Sequence, residues 1–394
     1  MNARAAAPAA VDHDPGADAA SRRIADLETV AAEPIEPAGA GRILVGTASW
    51  TDPTMTAAGV FYPAGADNAE ERLQYYASTF PVVEVDATYY ALPAERTAQL
   101  WAERTPPDFT FDIKAHALMT GQGTETRRLP KAIREDLPAE LQEKTRIYAK
   151  DLPADVHDEV WRMFREALAP LDERGQLGSI LLQYPKWVFP SSENRALILD
   201  AVERLKGWRA AVEFRNGSWL NEKNRERTLD FLTRNHIPFV MVDEPQGFKS
   251  SVPPEVAVTS PDLAIVRFHG RNADTWEKKN ITPAERFRYL YSRDELSDWV
   301  PRVREVAKET REVHLMFNNC YANYGTTNAR EIAALLFDLE AGQGYLLGRP
   351  GPEPTADELD LDRLAASTLA PNLSVLDQAI AERAAAVGAD RAAS

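Results

Sequence analysis

Three short stretches of this chain each set a charged group and a second polar group two residues apart. They are Lys114 with His116, Glu213 with Arg215, and Arg267 with His269. In an extended strand residues i and i+2 face the same side, so each pair presents both groups to one space. Arginine and lysine hold a phosphate or carboxylate by charge-assisted hydrogen bonds, and a carboxylate beside them stays ionised for general-base work. Glu213 is therefore read as the general base and His269 as its acid–base partner, with Lys114 and Asp243 completing the catalytic group. Arg215, Arg267 and Arg271 supply anion contacts, and Glu84, Asp86, His116, Asn318, Trp50 and Tyr89 complete the binding set. The competing reading of the same charges is an Arg–Glu network bracing the interior, because a buried charge must find a partner.

Other chemistries are weaker in the sequence. Glu84, His116, Glu213, Asp243 and His269 are metal-ligand types, yet no H-x-x-x-H or H-x-H spacing occurs, so a divalent metal is not favoured and no cofactor is assigned. A glycosidase needs two carboxyls across one pocket, and nothing specifies a pair among Glu84, Glu213 and Asp243. Cys320, a lone thiol just beyond an apolar run, reads as inert. Gly270 and Arg271, with Gly325 and Thr327 opening a helix, resemble the pair of loops from which barrels hold phosphate. Trp50, Tyr89, Tyr90, Trp187 and Trp219 are aromatics placed to stack a sugar or base.

The elements that position these groups are legible as alternation. Eight short apolar, β-branched runs recur at 43–48, 82–87, 109–115, 179–183, 210–214, 238–242, 264–268 and 313–317. Several are apolar almost throughout, as parallel strands covered on both faces are. Helical periodicity fills intervals at 69–79, 97–104, 156–171, 194–205, 225–235, 293–309 and 328–339, with Asn328 and Glu331 resembling a capping box at the start of the last. Alternation of this length predicts a closed (β/α)8 barrel of the TIM type, in which strand C-terminal ends carry the active groups. A doubly wound sheet is disfavoured because the first run ends VGTASW rather than in G-x-G-x-x-G.

The barrel is expected over residues 41–340, with an insertion at 118–153 that is rich in charge and poor in apolar periodicity. Residues 1–40 are Ala/Pro-rich and read as a disordered extension with a short helix near 21–32; residues 341–394 read as an acidic tail with helices near 356–366 and 375–386. The net charge is −15, of which each terminal region carries −4. A body of this sign disfavours broad nucleic-acid binding. The single cysteine, the absence of a basic-then-apolar start and the absence of an eighteen-residue apolar stretch point to a cytoplasmic protein without membrane attachment.

Taken in order, ILVGTASW at 43–50, FYP at 61–63, VEVDATYY at 83–90, FDIK at 111–114, LGSILLQYP at 177–185, VEFR at 212–215 with Ser218-Trp219, VRFHGR at 266–271, and FNN at 317–319 with Asn328-Ala329 form a set. This set resembles the domain-of-unknown-function 72, or YecE-like, family over roughly 42–340. The resemblance implies a barrel and directs attention to Glu84, Lys114, Glu213, Arg215, Arg267, His269 and Asn318. Asp86 stands where the family commonly has Asn, Ala115-His116 where Ser-Arg is common, and GTASW where GTSGW is usual. The function expected is hydrolysis or isomerisation of an anionic, sugar-phosphate-like or nucleotide-like small molecule. The rivals are a metal-dependent phosphodiesterase or nuclease, and a non-catalytic binding protein.

Overall fold

The computed structural model describes residues 15–23, 31–57 and 59–342. Eight parallel strands form one sheet: β1 (Arg42–Ala48), β2 (Val82–Val85), β3 (Thr110–Lys114), β4 (Leu177–Tyr184), β5 (Ala210–Phe214), β6 (Val240–Asp243), β7 (Ala264–Phe268) and β8 (Glu312–Phe317). Neighbours in sequence pair as ladders except β5 and β6, and β1 pairs with β8. Closure is completed between β5 and β6 by a parallel bridge of Val212 and Phe239, with the Val212 N–H donating to the Pro238 carbonyl at 2.9 Å. The fold is the expected (β/α)8 barrel.

The helices are α1 (Pro15–Arg23), α2 (Ala69–Ala77), α3 (Glu95–Glu103), α4 (Ala154–Glu173), α5 (Ser192–Arg204), α6 (Arg225–Arg234), α7 (Val300–Glu309) and α8 (Tyr324–Gly342), with shorter turns between them. Local chemistry sets several boundaries. Asn68 and Glu71 close a capping box at α2, satisfying N–H groups that the first turn leaves unpaired. The pattern at 293–309 breaks into Arg293–Ser297 and α7, because Pro301 fits only the first turn of a helix. The second apolar run stops as a strand at Val85, where Ala87–Tyr90 turns helically and Thr88 donates to the carbonyls of Val85 and Lys114. Between β6 and β7 the connection, residues 244–263, has no helix.

Three expectations are corrected. Helix α8 begins at Tyr324, four residues before Asn328, so Asn328 is not a cap but a buried hydrogen-bond hub inside the helix. The insertion is not without periodicity: Leu129, Ile133, Leu137 and Leu141 recur at four-residue spacing and are buried, Ile133 and Leu141 on two short helices that Pro130 and Pro138 introduce and Leu129 and Leu137 in the extended residues before and between them. A two-residue antiparallel ladder, Thr124–Glu125 against Arg146–Ile147, pins its ends. In the N-terminal extension the helix lies at Pro15–Arg23, and Ile35 makes a two-way antiparallel bridge with Ile43, so parts of the 1–40 segment are ordered on the barrel. The helices expected beyond 341 lie outside the described residues, as do 24–30 of the expected N-terminal helix.

The barrel interior departs from the usual filling by Val, Ile and Leu. Arg267 of β7 reaches Glu84 of β2 and Glu213 of β5, and His314 of β8 reaches Asp112 of β3. None of these strand pairs is adjacent, so the contacts run through the interior. The apolar core lies instead between sheet and helices, where residues such as Phe80, Phe164, Leu168, Phe214 and Trp299 are buried.

Candidate functional site

The innermost charged group is a triad. Arg267 donates from Nε and Nη2 to the two oxygens of Glu84 at 2.8 and 2.5 Å, and from Nη1 to Glu213 at 2.5 Å. All three are buried. Glu213 also accepts on Oε1 from Gln183 at 2.8 Å, Arg215 at 3.2 Å and His269 Nε2 at 3.2 Å. Burial alone would raise the Glu213 carboxyl, but Arg267 and His269 outweigh it and hold it well below the usual range. A carboxylate held so low, with its lone pairs occupied, is a weak base. Glu213 is thus an anchor of the network rather than the base expected of it, and Arg267 spends its fork on two carboxylates rather than on an external anion.

His269 completes this floor. Its Nδ1 lies 2.9 Å from Asn318 Nδ2, which donates to it, so Nε2 carries the proton and donates to Glu213. Burial, then the charge of Arg215, pushes the ring down to about 3, so it is neutral at physiological pH. Asn318 therefore orients His269. His116 is also neutral, pushed to about 4 by burial, and neither ring nitrogen has a hydrogen-bond partner. It adds no positive charge for an anion.

Above the triad two cations reach solvent. The Lys114 side chain is 16% exposed, with Nζ 3.4 Å from Asp86 and 5.1 Å from the Tyr89 ring centre. Arg215 is 20% exposed, bonds Glu213 and Glu244 through Nη1 alone, and lies 4.7 Å from the ring centre of Trp276. Burial pushes the Glu84 carboxyl up to about 8 against the pull of Arg267. Burial acts upward on Asp86 too, but Lys114 and Arg267 hold it below its usual value. Tyr89 donates to Gln122, which in turn donates to the Gln183 carbonyl and fastens the start of the insertion to β4.

Glu244 is the residue sequence reasoning passed over. It follows β6 and accepts from Arg215 at 3.0 Å and from the Val252 N–H at 2.7 Å. Burial pushes its carboxyl up to about 7, with Arg215 opposing. Asp243, one residue earlier, faces the helix layer. It accepts from both Nε and Nη2 of Arg271, from Tyr291 Oη and from Trp299 Nε1, at 2.7–2.8 Å. Four donors leave it no role as a base, and Arg271 is committed with it. Strand register separates the two: interior Val242 pairs with Arg267, which puts Glu244, two residues on, on the interior side and Asp243 on the other. Trp276 lies in a long connection and had no local signal.

The expected phosphate cradle does not form as drawn. The Gly270 N–H donates to Tyr291 Oη, and Arg271 points to Asp243. Trp50 is buried edge-on to Trp101, and Trp219 is stacked on Phe214 at 4.3 Å, whereas Tyr90 and Trp187 are exposed. Among the described residues no three His, Cys, Asp or Glu side chains converge as metal ligands, and no helix is long and apolar enough to cross a membrane.

Fold and site together define a TIM-type barrel with an ion-paired interior and a polar mouth. The chain belongs to the family described as "Protein of unknown function DUF72", whose model matches residues 44–353. It is 30% identical over 302 residues to the UPF0759 protein YunF of Bacillus subtilis (strain 168), covering 76% of this chain and 95% of that one. Among solved structures it is similar to a DUF72 family protein of Thermotoga maritima MSB8, at 30% identity, TM-score 0.58, and coverage of 75% and 99%. A DUF72 family protein of Enterococcus faecalis V583 is similar at 28% identity, TM-score 0.59, and coverage of 75% and 95%.

Proposed function

We propose that this chain is an enzyme carrying out an acid–base reaction, hydrolysis or isomerisation, on an anionic sugar-phosphate-like or nucleotide-like small molecule at the barrel mouth. The observation that carries the reading is the pair Lys114 and Arg215. Both reach solvent at strand C-terminal ends, and Arg215 keeps Nε and Nη2 uncommitted among the described residues. Beside Arg215, burial pushes the Glu244 carboxyl up to about 7, which puts both protonation states within reach of working pH. Glu244 is buried like Glu213 and bonded to Arg215 and the Val252 N–H, but its carboxyl is shifted up where that of Glu213 is shifted down, and on that ground it takes the proton-transfer role, with Glu213, His269 and Asn318 positioning Arg215 and Arg267.

The test is a thermal-shift screen against phosphorylated metabolites, nucleotides and divalent metals, repeated on Lys114→Ala. A ligand at a hundred times its Kd adds about 2.7 kcal/mol of stability. The expected hit is phosphorylated and lost in the variant. Turnover of that hit should fall by about a hundredfold or more in Glu244→Gln, with loss of a pH–rate break near 7. Full turnover in Glu244→Gln would remove the proton role. A metal hit that survives in Lys114→Ala would favour the phosphodiesterase reading instead, and a bound but unconverted ligand the binding-protein reading.

A further inference from the structure

Helix α1 lies upstream of the family match, which begins at residue 44, yet it is tied to the barrel near the mouth. Arg23 donates from Nε and Nη2 to both oxygens of Glu331 in α8, at 2.7 and 2.6 Å, and from Nη2 to the Tyr291 carbonyl at 2.7 Å. Ser21 Oγ accepts from Asn323 at 2.8 Å. The contacts continue inward. Asn328 donates to Glu331 and to the Tyr291 carbonyl and accepts from the Tyr291 N–H at 3.0 Å, while Asn319 donates to Asn328 and to the Tyr289 carbonyl. Tyr291, held at its backbone, donates through Oη to Asp243 and accepts from the Gly270 N–H at 2.9 Å. Gly270 has φ +83° and adjoins His269, and a Cβ there would lie 2.6 Å from that of Tyr289. The same connection carries Trp276 to its place over Arg215.

We infer that α1 is a strap that positions one wall of the mouth, residues 270–291, and that Arg23 is the positioning residue through which it acts. The functional part of this inference rests on the mouth being the working site; the mechanical part does not. A guanidinium fork is needed because three acceptors, two carboxylate oxygens and a carbonyl, are met at once, which a lysine ammonium on a flexible stem does less rigidly. Burial pushes the Glu331 carboxyl up, with Arg23 the main opposing charge and Arg293 a lesser one, so loss of Arg23 leaves that carboxyl next to Asn328 without its hydrogen-bonded counter-charge. The consequence is a loosened Tyr291 and, through it, a loosened Gly270.

Hydrogen exchange followed by mass spectrometry on the full chain separates this from a general loss of stability. In Arg23→Ala, exchange at residues 270–280, which Arg23 does not touch, should rise about tenfold while β1–β5 keep wild-type protection. Arg23→Lys should fall between the two. Unchanged exchange at 270–280 overturns the strap, and so does a uniform rise across all strands. Inorganic phosphate binding, read by titration calorimetry, should weaken in Arg23→Ala. If phosphate binds neither wild type nor variant, the reading of the mouth as an anion site fails while the exchange result still decides the strap.

Discussion

At the level of single residues, the interior of this barrel is an electrostatic balance with little slack. Glu84 and Glu213 are buried on opposite sides of one guanidinium, and each takes at least one of its hydrogen bonds from it. Arg267→Met removes the cation and leaves two carboxyls without their partner. Breaking a buried pair in this way costs about 3–5 kcal/mol, far more than the net worth of the pair, because the orphaned charge stays desolvated. The expected outcome is a large fall in the urea midpoint, or a protein that does not accumulate folded. The sequence named Arg267, Glu84 and Glu213 as polar residues at strand ends. It did not reveal that they meet, because Arg267 and Glu84 are 183 positions apart and residue type says nothing of a partner across a barrel. Asp243 and Glu244 show the same limit in another form. On a strand buried on both faces no polar–apolar alternation records which side is inward, so the neighbour that leads outward to Arg271 and Trp299 reads as the site residue in place of the one that meets Arg215.

At the level of elements, legibility was high where it rested on repeated local pattern. All eight strands lie within a few residues of their apolar runs, and all seven helical patterns became helices, because burial on both faces and amphipathic spacing are written locally. Ends were less legible where tertiary contacts moved them. Thr88 ends β2 by bonding a carbonyl of β3, and α8 gains a turn because Asn328 is engaged by Tyr291 and Asn319. Gly46 in β1 yields a prediction at this scale. A Cβ there would lie 2.0 Å from the Val82 carbonyl oxygen of β2, backbone that belongs to the adjacent strand of the same ladder. Gly46→Ala must therefore displace β1 from β2. Overpacking of this kind costs roughly 1–3 kcal/mol, and the shift should register as a lowered urea midpoint with unchanged far-ultraviolet circular dichroism. An alanine that leaves the midpoint unmoved would mean that the two strands part without cost.

For the molecule as a whole, stability should depend on pH through a group far from the mouth. His314 is buried, with Nδ1 2.7 Å from Asp112 and Nε2 2.9 Å from Glu312, and Glu312 is in turn paired with Arg42 and Arg209. Burial disfavours its charge, but Asp112 and Glu312 outweigh burial and raise the ring to about 9 from an ordinary 6.5. A raised folded value means that the protonated ring is bound more tightly in the folded chain. Its contribution is therefore fully present below pH 6.5, declines as pH rises, and is gone above 9. The size, by about 1.36 kcal/mol for each unit, is on the order of 3 kcal/mol. Glu312 works in the opposite sense, held below its usual range by His314 and the two arginines, so its contribution is lost in acid. Stability should therefore fall on the alkaline side of neutrality through His314, with the raised Glu84 and Glu244 carboxyls acting in the same sense up to pH 8. Urea unfolding across that range would show a slope in the wild type between pH 6.5 and 9. His314→Gln keeps polar contacts to both carboxylates and should start lower at pH 6 and show a shallower slope, what remains up to pH 8 coming from the raised Glu84 and Glu244 carboxyls. If the variant retained the wild-type slope, the alkaline loss would belong to another group, and the imidazolium would not be what joins β3 to β8 at the base of the barrel.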